Sequence, residues 1–313
     1  MSARTTPGRV LAESGPVLAA IPAFDEADTI ADVVAETARY VDTVLVVDDG
    51  SDDETATRAR EAGADVVEHQ RNRGYGAAIR TALRTACGRN VEHLVLLDGD
   101  GQHDPSSIPD LLAAQRSEDA EIVIGSRYGA SSSIPAYRRV GLGVVNRLVN
   151  VGTRVLDGEL RVRDTQSGFR AFDRRAIETL AESGIDEGMG ASVDVLFQAN
   201  RHEFTVAEVD TEISYDGAES THHPVTHGFA LVRRITKTVE GRRPLLLLGV
   251  PGGVVTLTGM AVVYAAVFDL VSDGVSFAVA VLATVFVLTG VFSLATLAVL
   301  HGLDVYFSRR DLS

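Results

Sequence analysis

The sequence predicts an α/β domain on a mainly parallel, doubly wound sheet, followed by a C-terminal hairpin of two membrane-crossing helices. Three observations carry this. Between residues 16 and 127, apolar β-branched runs alternate with amphipathic helical segments. Polar and acidic clusters fall at the ends of those runs, where parallel sheets bind ligands. The apolar residues are also segregated: mean hydropathy is +0.11 although 23% of residues are charged.

In order, PVLAAIP (16–22) reads as a buried strand and Glu26–Tyr40 as an amphipathic helix. TVLVVDDG (43–50) is the next strand and Asp52–Ala62 the next helix. ADVVEH (64–69), a helix over 75–87, EHLVLLDGDG (92–101) and DAEIVIGSR (119–127) continue the alternation. Parallel strands need crossovers of this kind, with helices covering both faces. Residues 1–16 hold no apolar run, so they read as a mobile tail without a signal peptide.

Residues 244–268 and 275–300 contain no charged residue. Each run exceeds the ~20 residues with which a helix crosses a ~30 Å hydrocarbon core. The acidic loop Asp269–Gly274 joins them. Arg233, Arg234, Lys237, Arg242 and Arg243 precede the first run, and Arg309 and Arg310 follow the second. The positive-inside bias then puts both flanks and the N-terminal domain in the cytoplasm. The expected organisation is a tail over 1–16, a catalytic domain over 17–230, a basic juxtamembrane segment over 231–243, two spans, and a cytoplasmic tail over 301–313.

The chain has 313 residues and a net charge of −14, which argues against a nucleic-acid partner. Lys237 is the only lysine, and so acidic and lysine-poor a surface fits a protein of a halophile. Cys87, the single cysteine, excludes a disulfide framework and reads as small core packing.

Asp98-Gly99-Asp100 follows the strand around 93–97. Two carboxylates one residue apart on a tight turn can hold one divalent cation, and oxygen ligands suit Mg²⁺ or Mn²⁺. Gln102 and His103 are possible supplements. A calcium EF-hand is excluded, because the sixth position of such a loop would be His103 and the twelfth Pro109. Asp48-Asp49-Gly50-Ser51 ends another strand; Ser51 or Asp52 is expected to cap the next helix, leaving a carboxylate for a base N–H or a ribose hydroxyl. Phe24, in Pro22-Ala-Phe-Asp-Glu26, offers a ring to a flat base. Asn72-Arg-Gly-Tyr-Gly76 reads as a close-approach loop, and His69 and His93 as surface or strand-edge residues.

PAFDE, VVDDGSDDET, NRGYGAA and LLDGDGQHDP, in this order, resemble the family-2 glycosyltransferases with the GT-A, Rossmann-like fold. GSRY (125–128), RDTQSGFRAF (163–172) and GMGASVDVLFQA (188–199) resemble the polyprenyl-phosphate sugar transferases typified by dolichyl-phosphate mannosyltransferase. The resemblance spans about 17–240 and implies roles residue by residue. Pro22, Phe24, Glu26 and Asp49 would contact the donor nucleoside, with Asp98 and Gly99 beside it. Asp98, Asp100 and Gln102 would bind the metal on the donor diphosphate. Arg127 would meet donor phosphates or sugar; Asp164, Gln166 and Arg170 would shape the sugar and acceptor pocket. Asp194 stands where the family usually has Glu, Gly190 replaces an acidic residue, and the usual Ser-Lys-rich loop reads GAESTHHPVTH (217–227), where His222 and His223 can stand in for lysine.

The implied reaction moves a hexose from a nucleotide sugar, UDP-glucose or GDP-mannose, to dolichyl or polyprenyl phosphate at the bilayer, with inversion. The product would feed protein N-glycosylation. A lipid phosphate is largely dianionic near neutrality, its second pKa being about 6, so no strong base is required and Asp194 is equally open to an orienting role. The alternatives are transfer to another lipid or a growing glycan, and a nucleotide-sugar-binding scaffold without turnover.

Overall fold

The structure, a computed structural model, describes residues 15–128, 143, 146–147, 149–150, 162–186, 188, 190–211, 250–267 and 277–310. The chain divides into two compact units, Met1–Arg234 and Ile235–Ser313, the division falling inside the basic segment expected at 231–243. The tail over 1–14, the loop over 217–227 with His222 and His223, and the basic residues between 233 and 243 lie outside the described residues.

The first unit carries strands β1 (Val17–Ala23), β2 (Thr43–Asp48), β3 (Asp65–Glu68), β4 (His93–Leu96), β5 (Ile122–Ser126), β6 (Arg170–Asp173) and β7 (Val206–Asp210). Its described helices of seven residues or more are α1 (Ile30–Thr37), α2 (Thr55–Glu61), α3 (Tyr75–Gly88), α4 (Ile108–Ser117), α5 (Arg174–Glu182) and α6 (Ala191–Arg201). The strands form one sheet in the order β3-β2-β1-β4-β6-β5-β7. β1 pairs in parallel with β2 and β4, and β2 with β3. Only β6 runs against its neighbours, pairing antiparallel with both β4 and β5. β5 and β7 are parallel again. The expected mainly parallel sheet is therefore present.

The strand order turns between β1 and β4, and the carboxyl ends of β1, β2, β4 and β5 share one edge. Because β6 is reversed, its first residue, Arg170, lies opposite Leu96 and Ile124 at that same edge. The segment before it, Asp164–Phe169, thereby arrives where the other strands end. β1 is buried along its whole length, and Phe169 and Phe172 are fully buried. Burying such a side chain contributes about 1.5–3 kcal/mol, which fixes the reversed strand despite its four residues.

Two helices begin later than the sequence predicts. α1 starts at Ile30 rather than Glu26 because residues 25–27 are bonded to the neighbouring loop. The N–H groups of Asp25, Glu26 and Ala27 donate to Ser51 Oγ (2.9 Å), Thr55 Oγ1 (2.8 Å) and Asp53 Oδ2 (3.1 Å). α2 starts at Thr55, and neither Ser51 nor Asp52 caps it. Ser51 turns back to Asp48, while the Asp52 N–H donates to Asp25 Oδ1 (3.0 Å). These side chains bind the two loops to each other instead.

The second unit carries α7 (Val250–Val267) and α8 (Phe277–Arg310). They meet across small residues: a methyl group at Gly259 would lie 2.7 Å from Val287 Cγ2, and one at Gly252 would lie 2.9 Å from Ser293 Cβ. Away from that seam the helices are apolar and exposed, with Leu257 68%, Leu288 63% and Phe292 75% accessible. α8 continues past 300, where a cytoplasmic tail is expected. Among the described residues no helix is long and apolar enough to cross a membrane; residues 244–249, 268 and 275–276 of the two expected spans lie outside them.

Candidate active site

The loops after β1, β2 and β4 are bonded into one edge. Besides the bonds that join 25–27 to 51–55, Thr29 Oγ1 donates to the carbonyl of Gly99 (2.7 Å), tying the first loop to the Asp98-Gly99-Asp100 turn. Gly99 is buried, and a Cβ there would sit 3.4 Å from Ala23 Cβ and the Pro22 carbonyl, so the turn packs directly on the end of β1. Pro22 is buried within that strand, and Phe24 is the one large apolar side chain exposed among the described residues of this unit, at 40%.

Asp98 is gripped on both oxygens. Tyr75 Oη donates to Oδ1 (2.9 Å), and His103 Nε2 lies 3.2 Å from Oδ2. Burial pushes the Asp98 carboxyl up, but the His103 hydrogen bond and charge, the Tyr75 hydrogen bond and the Arg127 charge together hold it below its ordinary value. Asp100 and Glu26 behave oppositely. Burial and then the charge of Asp98 raise Asp100, although the Gln102 N–H donates to its Oδ1 (3.0 Å). Burial, followed by the charge of Asp100, raises Glu26. Of the three carboxylates at this edge, Asp98 is thus offset by its neighbours, whereas Asp100 and Glu26 are not.

Asp164, fully buried, receives Arg127 side-on: Nε donates to Oδ2 (2.8 Å) and Nη2 to Oδ1 (2.7 Å), with the Arg127 N–H on Oδ2 (3.0 Å). Arg127 therefore has its fork on Asp164 while its charge is felt at Asp98. Gln166 is half-buried and donates to Thr165 Oγ1 (3.1 Å). Arg170, expected to shape the sugar and acceptor pocket, is 2% exposed. It donates to the carbonyls of Ser167 (2.9 Å), Ser192 (3.0 Å) and Thr165 (2.9 Å). Burial pulls its guanidinium down to about 10. These bonds staple the 164–169 turn to the start of α6. Gly168 completes that turn, since a Cβ there would run into both oxygens of Asp98.

Asp194 lies in the first turn of α6, 5% exposed, and its Oδ2 accepts the N–H of Asp186 (2.8 Å). That bond holds Asp186, whose carbonyl, like that of Gly188, would collide with any side chain at Gly76. Asp49, expected to face the donor nucleoside, is 3% exposed. It accepts the N–H groups of Arg73 (3.1 Å) and Gly74 (2.7 Å), and His69 Nδ1 lies 2.6 Å from its Oδ1. In this geometry it clamps the 72–75 loop. His69, expected at the surface or a strand edge, follows the edge strand β3 with its side chain 6% exposed, and spans Asp49 and Thr81 Oγ1 (2.8 Å).

Sequence reasoning left Tyr75, His69 and Thr29 out of the site. For Tyr75 the signal was present, since it sits inside Asn72-Arg-Gly-Tyr-Gly76, a motif already marked as a close-approach loop. Nothing in the sequence linked His69 to Asp49. Among the described residues no group of three or more His, Cys, Asp and Glu side chains is placed to hold a metal by itself. The donor set at Asp98, Asp100 and Gln102 nevertheless fits a hard divalent cation. It is built of oxygens, and burial together with neighbouring carboxylates raises both Asp100 and Glu26.

A sheet turning between β1 and β4, with an acidic turn at that point and a reversed strand beside it, is the GT-A fold of glycosyltransferases. Glucosyl-3-phosphoglycerate synthase from Mycobacterium tuberculosis, solved with Mn²⁺, UDP and glucosyl-3-phosphoglycerate, superposes with a TM-score of 0.60 at 20% identity, covering 77% of this chain and 85% of that one. The chain belongs to glycosyl transferase family 2, which matches residues 19–181. It is accordingly an enzyme, a hexosyltransferase. Among its relatives, Glycosyltransferase AglJ of Haloferax volcanii is 28% identical, over 82% of each chain. The UDP-N-acetylglucosamine–dolichyl-phosphate N-acetylglucosaminyltransferase of Methanococcus voltae is 28% identical, over 71% of this chain and 95% of its own. Polyprenol monophosphomannose synthase of Mycolicibacterium smegmatis is 32% identical, over 61% and 75%.

Proposed function

We propose that this enzyme transfers a hexosyl group from a nucleoside diphosphate sugar to a dolichyl or polyprenyl phosphate, with a divalent cation, at a membrane. The observation that carries the reading is the acidic turn at the end of β4: Asp98, its side chain 30% exposed, and Asp100 stand one residue apart, tied to the first loop through Thr29 and Gly99, with the Arg127 charge nearby. Such a turn suits the cation of a metal diphosphate. The named lipid-phosphate substrates of the M. voltae and M. smegmatis relatives favour this acceptor class.

In the reaction an acceptor phosphate oxygen bonds to C1 of the sugar as the bond from C1 to the diphosphate oxygen breaks. The nucleoside diphosphate leaves, and the anomeric centre inverts. Mg²⁺ or Mn²⁺, bound by Asp98, Asp100 and Gln102, would supply Lewis-acid stabilisation of the departing diphosphate. Arg127, oriented by Asp164, adds a second positive charge. The loop at Pro22, Phe24 and Glu26 receives the nucleoside, with Phe24 offering the exposed ring and Gly99 letting the turn pack close. Gln166 borders the sugar. Asp194 keeps the α6 side of the pocket in place and removes no proton, because the acceptor phosphate is already a nucleophile.

Membrane attachment follows from the acceptor, which leaves a bilayer only at about 0.8 kcal/mol per CH₂. It is supported by the apolar, exposed faces of α7 and α8. The reading places two spans at 244–268 and 275–300 and the catalytic unit on the cytoplasmic side. The product, an activated sugar on a lipid phosphate, is a donor for glycan assembly of the kind that serves protein N-glycosylation. An acidic, lysine-poor surface suits work at high salt. UDP-glucose is favoured over GDP-mannose by the altered 217–227 loop.

The test incubates the full-length enzyme with labelled UDP-glucose or GDP-mannose, Mn²⁺ or Mg²⁺, and polyprenyl phosphate. A chloroform-soluble labelled product that disappears in Asp98→Ala is expected. Absence of such a product with every donor, or its persistence in Asp98→Ala, rejects the proposal.

A further inference from the structure

We propose that Tyr75 is a positioning residue for Asp98, its hydroxyl fixing one carboxylate oxygen so that the other lone pairs meet a divalent cation in one orientation. This rests on the metal-dependent reading above. Asp98 is held on three sides: Tyr75 Oη on Oδ1 (2.9 Å), His103 Nε2 on Oδ2 (3.2 Å), and Gly168, where any Cβ would strike both oxygens. An ionised carboxylate offers about four acceptor sites, so each oxygen keeps one after these contacts. The Asp98 side chain is 30% exposed, which leaves those sites reachable.

The phenol is itself preset. Gly74, immediately before it, has φ +96°, a conformation that favours glycine. The Arg73 and Gly74 N–H groups are held by Asp49, with His69 and Thr81 behind it. Bonds thus run without a break from the helix residue Thr81, through the end of β2, to the acidic turn after β4. The Tyr75 hydroxyl is the donor of its pair with Asp98, since an ionised carboxylate only accepts. The imidazole plays a matching part: His103 Nε2 faces Asp98 Oδ2 (3.2 Å), while its Nδ1 is buried without a hydrogen-bond partner.

The test is Tyr75→Phe, which keeps the ring and removes only the donor. Binding of Mn²⁺ to the full-length protein is read as loss of the free-ion EPR signal, with UDP and separately GDP present. The expected result is about a tenfold weaker Mn²⁺ Kd, equal to about 1.4 kcal/mol. The half-saturating Mn²⁺ concentration should rise in parallel, with the KM for polyprenyl phosphate unchanged. In an Asp98→Asn background Tyr75→Phe should weaken Mn²⁺ binding no further. A lower melting temperature with unchanged Mn²⁺ affinity would reduce Tyr75 to a packing residue and overturn the proposal, as would an equal effect in the Asp98→Asn background. If wild-type protein takes up no Mn²⁺ with either nucleotide, the metal-dependent reading itself fails and this role falls with it.

Discussion

Arg127 and Asp164 meet side-on across residues far apart in sequence, through two guanidinium bonds of 2.8 and 2.7 Å and one backbone bond of 3.0 Å. Asp164 is wholly buried and Arg127 only partly so, 19% of its side chain being exposed. The carboxylate is thus the fixed member of the pair and the arginine the member directed outward.

Removing Asp164 should cost both folding and rate. Losing one partner of a buried pair destabilises by about 3–5 kcal/mol, so Asp164→Ala should melt well below wild type. Asp164→Asn keeps the shape but not the charge, and sugar transfer should fall about 10²-fold, the scale for losing one electrostatic donor at a transition state. Burial raises the Asp164 carboxyl, yet the Arg127 hydrogen bonds and charge bring it below 3.8. Its stabilisation is therefore present above 3.8 and lost as pH falls through the lower folded value. Urea titrations should show a steeper loss below pH 4 in wild type than in Asp164→Asn; parallel curves would refute the pairing.

The crowded carboxylates predict a gain of stability from a harmful substitution. Asp100 is raised in the folded protein by burial and by Asp98. Its contribution is present below the ordinary 3.8 and is lost as pH rises through the raised value, so at pH 7 the ionised form opposes folding. After chelation of metals, Asp100→Asn should raise the melting temperature at pH 7 by about 2–4 °C, the shift that ~1 kcal/mol gives in a domain of this size. At pH 3 the gain should vanish. Mn²⁺ with UDP should stabilise wild type but not the variant, and a lower melting point for Asp100→Asn at pH 7 would contradict the account.

Asp194 supplies a test of acid–base chemistry. Asparagine can still accept the Asp186 N–H, so Asp194→Asn should keep the rate within about tenfold and leave the pH–rate profile unchanged. A general base is worth about 10²–10⁴. A loss of that size in Asp194→Asn, with the acidic limb of the profile gone, would assign proton removal to this residue after all.

The sheet was largely legible because buried parallel strands are continuous apolar runs, as in VLAAIPA and TVLVVD. β6 was not, because RAFD is four residues long, begins and ends on a charged residue, and takes its place through Phe169 and Phe172 rather than through any local pattern. The acidic turn at 98–100 was legible for the opposite reason: two carboxylates at a strand end have no packing role. Roles that depend on distant partners were lost. No local pattern announces that Asp49 holds His69 and the 73–74 backbone, or that Arg170 joins three carbonyls from two segments.

The helix pair offers a last prediction. Leu288 and Phe292 point away from the small-residue seam and are highly exposed. If lipid covers them, Leu288→Arg with Phe292→Arg should shift the protein from the carbonate-resistant pellet toward the supernatant, each buried charge costing about 2.5–3.5 kcal/mol at a helix centre. Unaltered partitioning would argue against a bilayer around this face.

The reversed course of β6 has an evolutionary corollary. The chain leaves the sheet after Ser126 and re-enters at Arg170 on the same rim, so both strand ends are held by their own pairing, whatever the number of residues between them. A homologue with more or fewer residues between Tyr128 and Val162 thus keeps every strand in register and the acidic turn at 98–100 where it is.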